Sequence, residues 1–163
     1  MRKRFEQQTT LDAIPIPEVW IDMKSRDQFP KLLAGLLHIF ITPELNESVF
    51  EILEKKVLGG KKKTGRLGMS LWELFVLGTV RLNLNIDYDR LHDLSNNHQS
   101  LRGLMGVATR AVFERGKYYE LQNLKDNLRL LDEETLGKIN EVIVKEGHRL
   151  KKKRLDRVVN LWA

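Results

Sequence analysis

Ser70-Leu71-Trp72-Glu73-Leu74-Phe75-Val76-Leu77-Gly78-Thr79-Val80-Arg81-Leu82-Asn83-Leu84 reads as a helix enclosed by other helices. Ser70 followed by Glu73 has the spacing of a capping box, in which a serine oxygen and a glutamate reciprocally satisfy the free backbone donors at a helix start. Behind the cap, Leu71, Leu74, Phe75, Val76, Leu77, Val80, Leu82 and Leu84 leave almost no polar face. A helix that is apolar all round is stable only when covered on every side, which places it at the centre of a bundle. Gly78, in the middle, weakens the helix and predicts the close approach of a neighbour.

Further helices are expected on both sides of this one. Downstream, Asn85-Ile86-Asp87 breaks the chain, and Asp87 caps a short helix from Tyr88 to about Ser95. Asn96-Asn97 forms a turn, and a second short helix runs from His98 to about Met105, closed by Gly106. Two short helices joined by a polar turn and preceded by a long buried one form a helix-turn-helix-like pair. Residues 107 to about 118 read as a loop, followed by a helical piece that ends near Leu131. Asp132 caps a final long helix with Leu136, Ile139, Ile143 and Leu150 at helical spacing, and a short strand is possible at the extreme C-terminus. Upstream, Ser25 is the expected cap of a first helix carrying Leu32, Leu33, Leu36, Leu37, Ile39 and Phe40, with His38 packed among them. Thr42 and Pro43 start a second helix, with Phe50, Leu53 and Val57 inward and Gly59-Gly60 as its end. Residues 1–24, interrupted by Ile14-Pro15-Ile16-Pro17, read as an extended arm anchored by Trp20 and Ile21.

The expected fold is therefore all-α: a compact multi-helix bundle with an extended N-terminal arm and a helix-turn-helix-like pair. Three parts follow: the arm (1–24), the helical body (25–131) and a basic C-terminal helix with its tail (132–163). The chain has 163 residues, 42% of them hydrophobic, and no cysteine. That composition fits a folded domain without disulfides or thiol chemistry and predicts an intracellular, cytoplasmic protein. The longest apolar run, Leu32 to Ile41, is about half of what a membrane-spanning helix requires, so no membrane is expected as a partner.

Charge narrows the function. The net charge is +6, which favours a polyanionic partner. Lys61, Lys62, Lys63 and Arg66 form one basic cluster, and Lys151, Lys152 and Lys153 form another. Both suit phosphate contacts that depend on counterion release and carry no sequence information. Between them, Arg90, Asn96, Asn97, His98, Gln99 and Arg102 gather around the short turn. Arginine, asparagine and glutamine make paired hydrogen bonds to base edges, so this segment reads equally as a reader of duplex DNA and as a solvated turn between two helices. No phosphate-cradling glycine loop is present. Asp87, Asp89, His92 and Asp93 are close enough in sequence to suggest metal ligands, but helix capping by Asp87 and ordinary solvation of the others are the stronger account of the cluster. No cofactor or metal is expected.

Several separated blocks resemble the amino-terminal domain of bacterial insertion-sequence transposases of the DDE type. These are Lys24-Ser25-Arg26-Asp27 with Pro30-Lys31-Leu32-Leu33, and Gly65-Arg66-Leu67-Gly68-Met69-Ser70-Leu71-Trp72. Next come Leu77-Gly78-Thr79-Val80-Arg81-Leu82-Asn83, Asp87-Tyr88-Asp89-Arg90-Leu91 and Asn96-Asn97-His98. Leu101-Arg102-Gly103-Leu104-Met105-Gly106 and Leu121-Gln122-Asn123-Leu124-Lys125-Asp126-Asn127 complete the set, and the resemblance extends to about residue 153. It implies a helical front domain that recognises transposon terminal repeats and helps assemble the synaptic complex. It also implies that strand cleavage belongs to a ribonuclease-H-like part whose carboxylates hold two metal ions. Where that part would begin, this chain reads Arg154-Leu155-Asp156-Arg157-Val158-Val159-Asn160-Leu161-Trp162-Ala163 and departs from the family pattern. The expectation is a truncated, non-catalytic DNA-binding portion. Two rivals stand beside it: an interaction module that dimerises or regulates a full-length transposase through the arm and the Leu136, Ile139, Ile143, Leu150 stripe, and a metal-dependent nuclease built on Asp89 and His92.

Overall fold

The computed structural model describes residues 2–9, 13–59, 68–109 and 117–162; in the last helix, side chains are described through Lys145 and for His148 and Arg149. Seven α-helices follow one another: α1 (Gln28–Ile41), α2 (Pro43–Val57), α3 (Leu71–Leu84), α4 (Tyr88–Asn97), α5 (Gln99–Leu104), α6 (Leu121–Leu128) and α7 (Glu133–Trp162). A single 3-10 turn, Ile16–Glu18, precedes them, and no strand occurs among the described residues. The possible C-terminal strand is helix instead: α7 runs through Trp162, with no proline after Asp132 to break it.

The central helix is α3. Every residue from Leu71 to Gly78 is buried, and so is Val80. Trp72 is wholly enclosed, its ring set against Phe40, Phe50 and Phe75 with centroids 4.9, 6.3 and 5.8 Å away. Its indole nitrogen donates to the Leu104 carbonyl at 2.7 Å, so the polar edge of a large apolar ring is satisfied where it is buried. A Cβ on Gly78 would come within 3.2 Å of the Leu131 side chain, which is the close approach the sequence predicts. The helix ends on Asn85, held left-handed at φ 50°, whose amide donates to the carbonyls of Arg81 and Leu82.

Ser70 Oγ accepts from the Glu73 amide at 3.2 Å, as half of the expected capping box. The other donors at this helix start are met from a distance. The amides of Leu71 and Trp72 donate to the carbonyls of Lys3 and Arg4, each at 2.9 Å. The N-terminal residues therefore form part of the core's hydrogen bonding. Arg4 reaches α2, where it pairs with Glu54 at 2.6 Å and Glu47 at 2.8 Å. Phe5 stacks edge-on against Phe40 and sits over Gly106, where a Cβ would come within 2.7 Å of its ring.

Some local expectations are displaced. The cap of α1 is Asp27, which accepts from the Phe29 amide at 3.4 Å, while Ser25 Oγ accepts from the Asp27 amide. Pro30 is tolerated because the first four amides of a helix have no internal partner. Ile16 and Val19 anchor the segment before α1, whereas Trp20 is 73% exposed. Val19 fits because Gly103 leaves room for it, a Cβ there falling 3.0 Å from its side chain. His38 is exposed on α1, off the packed face formed by Phe29, Leu33, Leu36 and Ile39. Thr42 spends its hydroxyl on the His38 carbonyl at 2.7 Å and leaves α2 without a side-chain cap.

The last helix, α7, packs chiefly along α2. It is capped by Asp132, whose Oδ1 accepts from the Thr135 amide at 2.8 Å while Oδ2 accepts from Lys56 Nζ of α2 at 2.5 Å. Buried Thr135 and Ile139, with Leu136 and Ile143 beside them, fasten its first three turns to the body. At 30 residues α7 is about 45 Å long, and Val144 is 48% exposed.

Candidate nucleic-acid interface

Helices α4 and α5 meet at a single residue, His98, so the turn expected at Asn96-Asn97 is the last turn of α4. Asp87 Oδ1 caps α4 by accepting from the Arg90 amide at 2.8 Å. His98 caps α5: its Nδ1 accepts from the Leu101 amide at 3.2 Å, and its ring packs on Phe29 with centroids 4.6 Å apart. Burial, and secondarily the nearby Arg90, lowers the His98 pKa, which suits a ring nitrogen that must stay unprotonated to accept a hydrogen bond.

Two of the expected base readers lie in the interior. Arg102 is 1% exposed. Its guanidinium donates to the carbonyls of Ala108 at 2.8 Å, Ser95 at 2.9 Å and Lys117 at 2.7 Å. Asn96 is 2% exposed and clasps the backbone of Tyr119, donating to its carbonyl at 3.0 Å and accepting from its amide at 2.8 Å. These side chains hold the segment after residue 116 against α4 and α5. Neither can reach a base edge from there, so both leave the candidate interface.

Around them lies a polar cluster that the sequence reading did not foresee. Glu73 is buried to 3% exposure and accepts from Lys117 Nζ at 2.8 Å and from the Tyr119 hydroxyl at 3.2 Å. Burial, with the Glu73 carboxylate next in weight, raises the Tyr119 pKa well above 10.0. The clue in the sequence is a glutamate within an otherwise apolar helix, because a buried charge persists only when paired.

What remains on the surface is modest. Arg90, Asn97 and Gln99 are exposed, and Ser100 donates to the Trp20 carbonyl at 2.8 Å. Arg90 pairs with Asp93 at 3.0 Å, and Asn97 Nδ2 donates to the same carboxylate at 2.9 Å. Only Gln99 on the six-residue α5 therefore presents an exposed polar side chain. His92 Nε2 and the Tyr118 hydroxyl lie 3.0 Å apart. Asp87, His92 and Asp93 thus each have a protein partner, and no group of three or more metal-ligating side chains occurs among the described residues. Among those residues no helix is long and apolar enough to cross a membrane.

Lys61, Lys62, Lys63 and Arg66 lie outside the described residues. Lys151, Lys152 and Lys153 lie on the helical backbone of α7, their side chains outside the description. Seven lysines and arginines against two acids occupy residues 145–157 and leave +5 there, out of +6 for the whole chain. Several cations of the body have an acidic partner close by: Lys3 with Glu6, Arg4 with Glu47 and Glu54, Lys56 with Asp132, Lys117 with Glu73, Arg129 with Asp126 and Lys138 with Glu134. By sequence, residues 145–157 carry +5 and the rest of the chain +1. No family model, curated protein or solved structure matches the chain.

Proposed function

We propose that the chain is a DNA-binding portion of an insertion-sequence transposase, which holds duplex at the transposon ends and performs no strand cleavage by itself. The observation that carries this reading is the concentration of charge on the far part of α7, where +5 falls within thirteen residues of one continuous helix. A cationic helix of this kind tracks a polyphosphate, and each phosphate it neutralises releases counterions. The resemblance of the Gly65–Trp72 and Leu101–Gly106 blocks to the transposase front domain supplies the biological context. In this reading Lys151, Lys152 and Lys153, with Lys145 on the same helix, contact phosphates. Arg90, Asn97 and Gln99 are the described turn residues still exposed for any contact with bases. Lys61, Lys62, Lys63 and Arg66 are proposed as further phosphate contacts on sequence grounds alone.

The test is fluorescence polarisation of the whole chain on labelled duplexes between about 50 and about 200 mM salt. Log affinity should fall linearly with log salt, and a duplex carrying the element's terminal repeat should bind more tightly than a scrambled one. Supercoiled DNA incubated with the chain and magnesium should remain intact. Absence of binding at the lowest salt would overturn the proposal.

A further inference from the structure

An open groove of about 570 Å³ runs between α1, α3 and the first turns of α7. Its walls are largely apolar, with Leu36, Phe75, Leu82, Leu136 and Ile143 among them, and Leu82 is 39% exposed there. Nothing in the DNA-binding reading uses it.

Two glycines line this groove from facing helices, Gly35 on α1 and Gly137 on α7. Both sit inside helices, where glycine weakens the helix relative to alanine. Elsewhere the fold explains its glycines: Gly78, Gly103 and Gly106 each have a side chain within 3.2 Å of where a Cβ would stand. At Gly35 and Gly137 an added Cβ meets nothing within 4 Å. The missing side chains therefore serve no packing contact of the described chain, and they leave room for another backbone to come close. Thr79 Oγ1, in the same wall, is buried and has no hydrogen-bond partner among the described residues.

Charge indicates what fits. Lys31 and His38 are the titratable residues of the lining, both on α1, and no aspartate or glutamate belongs to it. We infer that the groove receives an amphipathic helix of a partner protein, apolar face inward and acidic along the edge that meets Lys31 and His38. The paired glycines favour a helix over a small molecule, because small residues on opposing walls admit a backbone. The outer part of this chain's own α7, with seven cations against two acids, has the wrong sign to fill the groove of a second copy.

The inference is independent of DNA binding and is tested with two designed probes. One is an 18-residue fluorescein-labelled peptide with leucine at i, i+3, i+4 and i+7 and glutamate on the remaining face; its twin carries lysine for every glutamate. The glutamate peptide should bind the whole chain at least tenfold more tightly. Gly35→Leu together with Gly137→Leu should weaken that binding tenfold or more while the thermal midpoint holds or rises, since leucine is the better helix former. Lys31→Glu should narrow or reverse the preference between the peptides. Equal or absent binding of both peptides, or unchanged binding by the double leucine variant, would overturn the inference. So would self-association in sedimentation velocity that the leucine pair abolishes, because that result assigns the groove to a second copy.

Discussion

Arg102→Ala should destabilise the fold rather than remove a contact with DNA. The guanidinium is 1% exposed and donates to three backbone carbonyls, those of Ser95, Ala108 and Lys117. Each carbonyl left without its partner costs about 1–3 kcal/mol, reduced by whatever water enters the space. Set against this is the desolvation that the arginine no longer bears, so from three orphaned carbonyls a net loss of about 3–5 kcal/mol is expected. Against a usual stability of about 5–15 kcal/mol, that is a fifth or more of the total. In urea, with a slope of about 2 kcal/mol/M, the midpoint followed by circular dichroism should fall by roughly 1.5–2.5 M. Gln99→Ala, at an exposed position three residues away, should stay within about 0.5 kcal/mol of the parent. A normal urea midpoint for Arg102→Ala, accompanied by lost DNA affinity, would refute the reasoning and put the guanidinium on the surface.

Other outcomes follow from the same structure. His98 has a lowered pKa, so its share of stability is complete above its ordinary value of 6.5 and is lost as pH falls through the folded value; His98→Asn, which keeps a capping acceptor, should flatten that acid limb in melts taken across pH. Tyr119 has a raised pKa, so its contribution is complete below 10.0 and declines as pH rises through the folded value. Absorbance titration should accordingly find one of the three tyrosines resisting ionisation until the protein unfolds, and Tyr119→Phe should remove that laggard. Asn85→Ala, at φ 50°, should lower stability by about 1 kcal/mol in thermal melts, whereas Asn85→Gly should not.

The parts of this fold that could be read directly are those fixed by near neighbours in the chain. Ser70 ahead of an all-apolar run, Asp87 ahead of Tyr88 and Asp132 ahead of Glu133 each mark a helix start, because the donors they satisfy lie two or three residues on. Gly78 was readable for a similar reason: a glycine in a buried helix implies a close neighbour. Asn96 and Arg102 were not readable in this way. Both are plausible base readers by residue type, and what draws them inward is backbone at residues 117 and 119, 15 and 23 positions away. The N-terminal residues show the same limit, since nothing near Lys3 or Arg4 announces that their carbonyls cap a helix 67 or 68 positions later. The interior of the turn therefore serves the fold, and the charge of α7 is the feature suited to a duplex.

The most direct measurement compares the salt dependence of duplex binding for the parent chain and for Lys151→Ala/Lys152→Ala/Lys153→Ala. With α7 as the phosphate-contacting element, the triple variant should keep its helicity, bind every duplex more weakly and lose up to about 2.7 from the slope of log affinity against log salt, or about 0.9 for each contact removed. An unchanged slope and affinity in a folded variant would contradict the account.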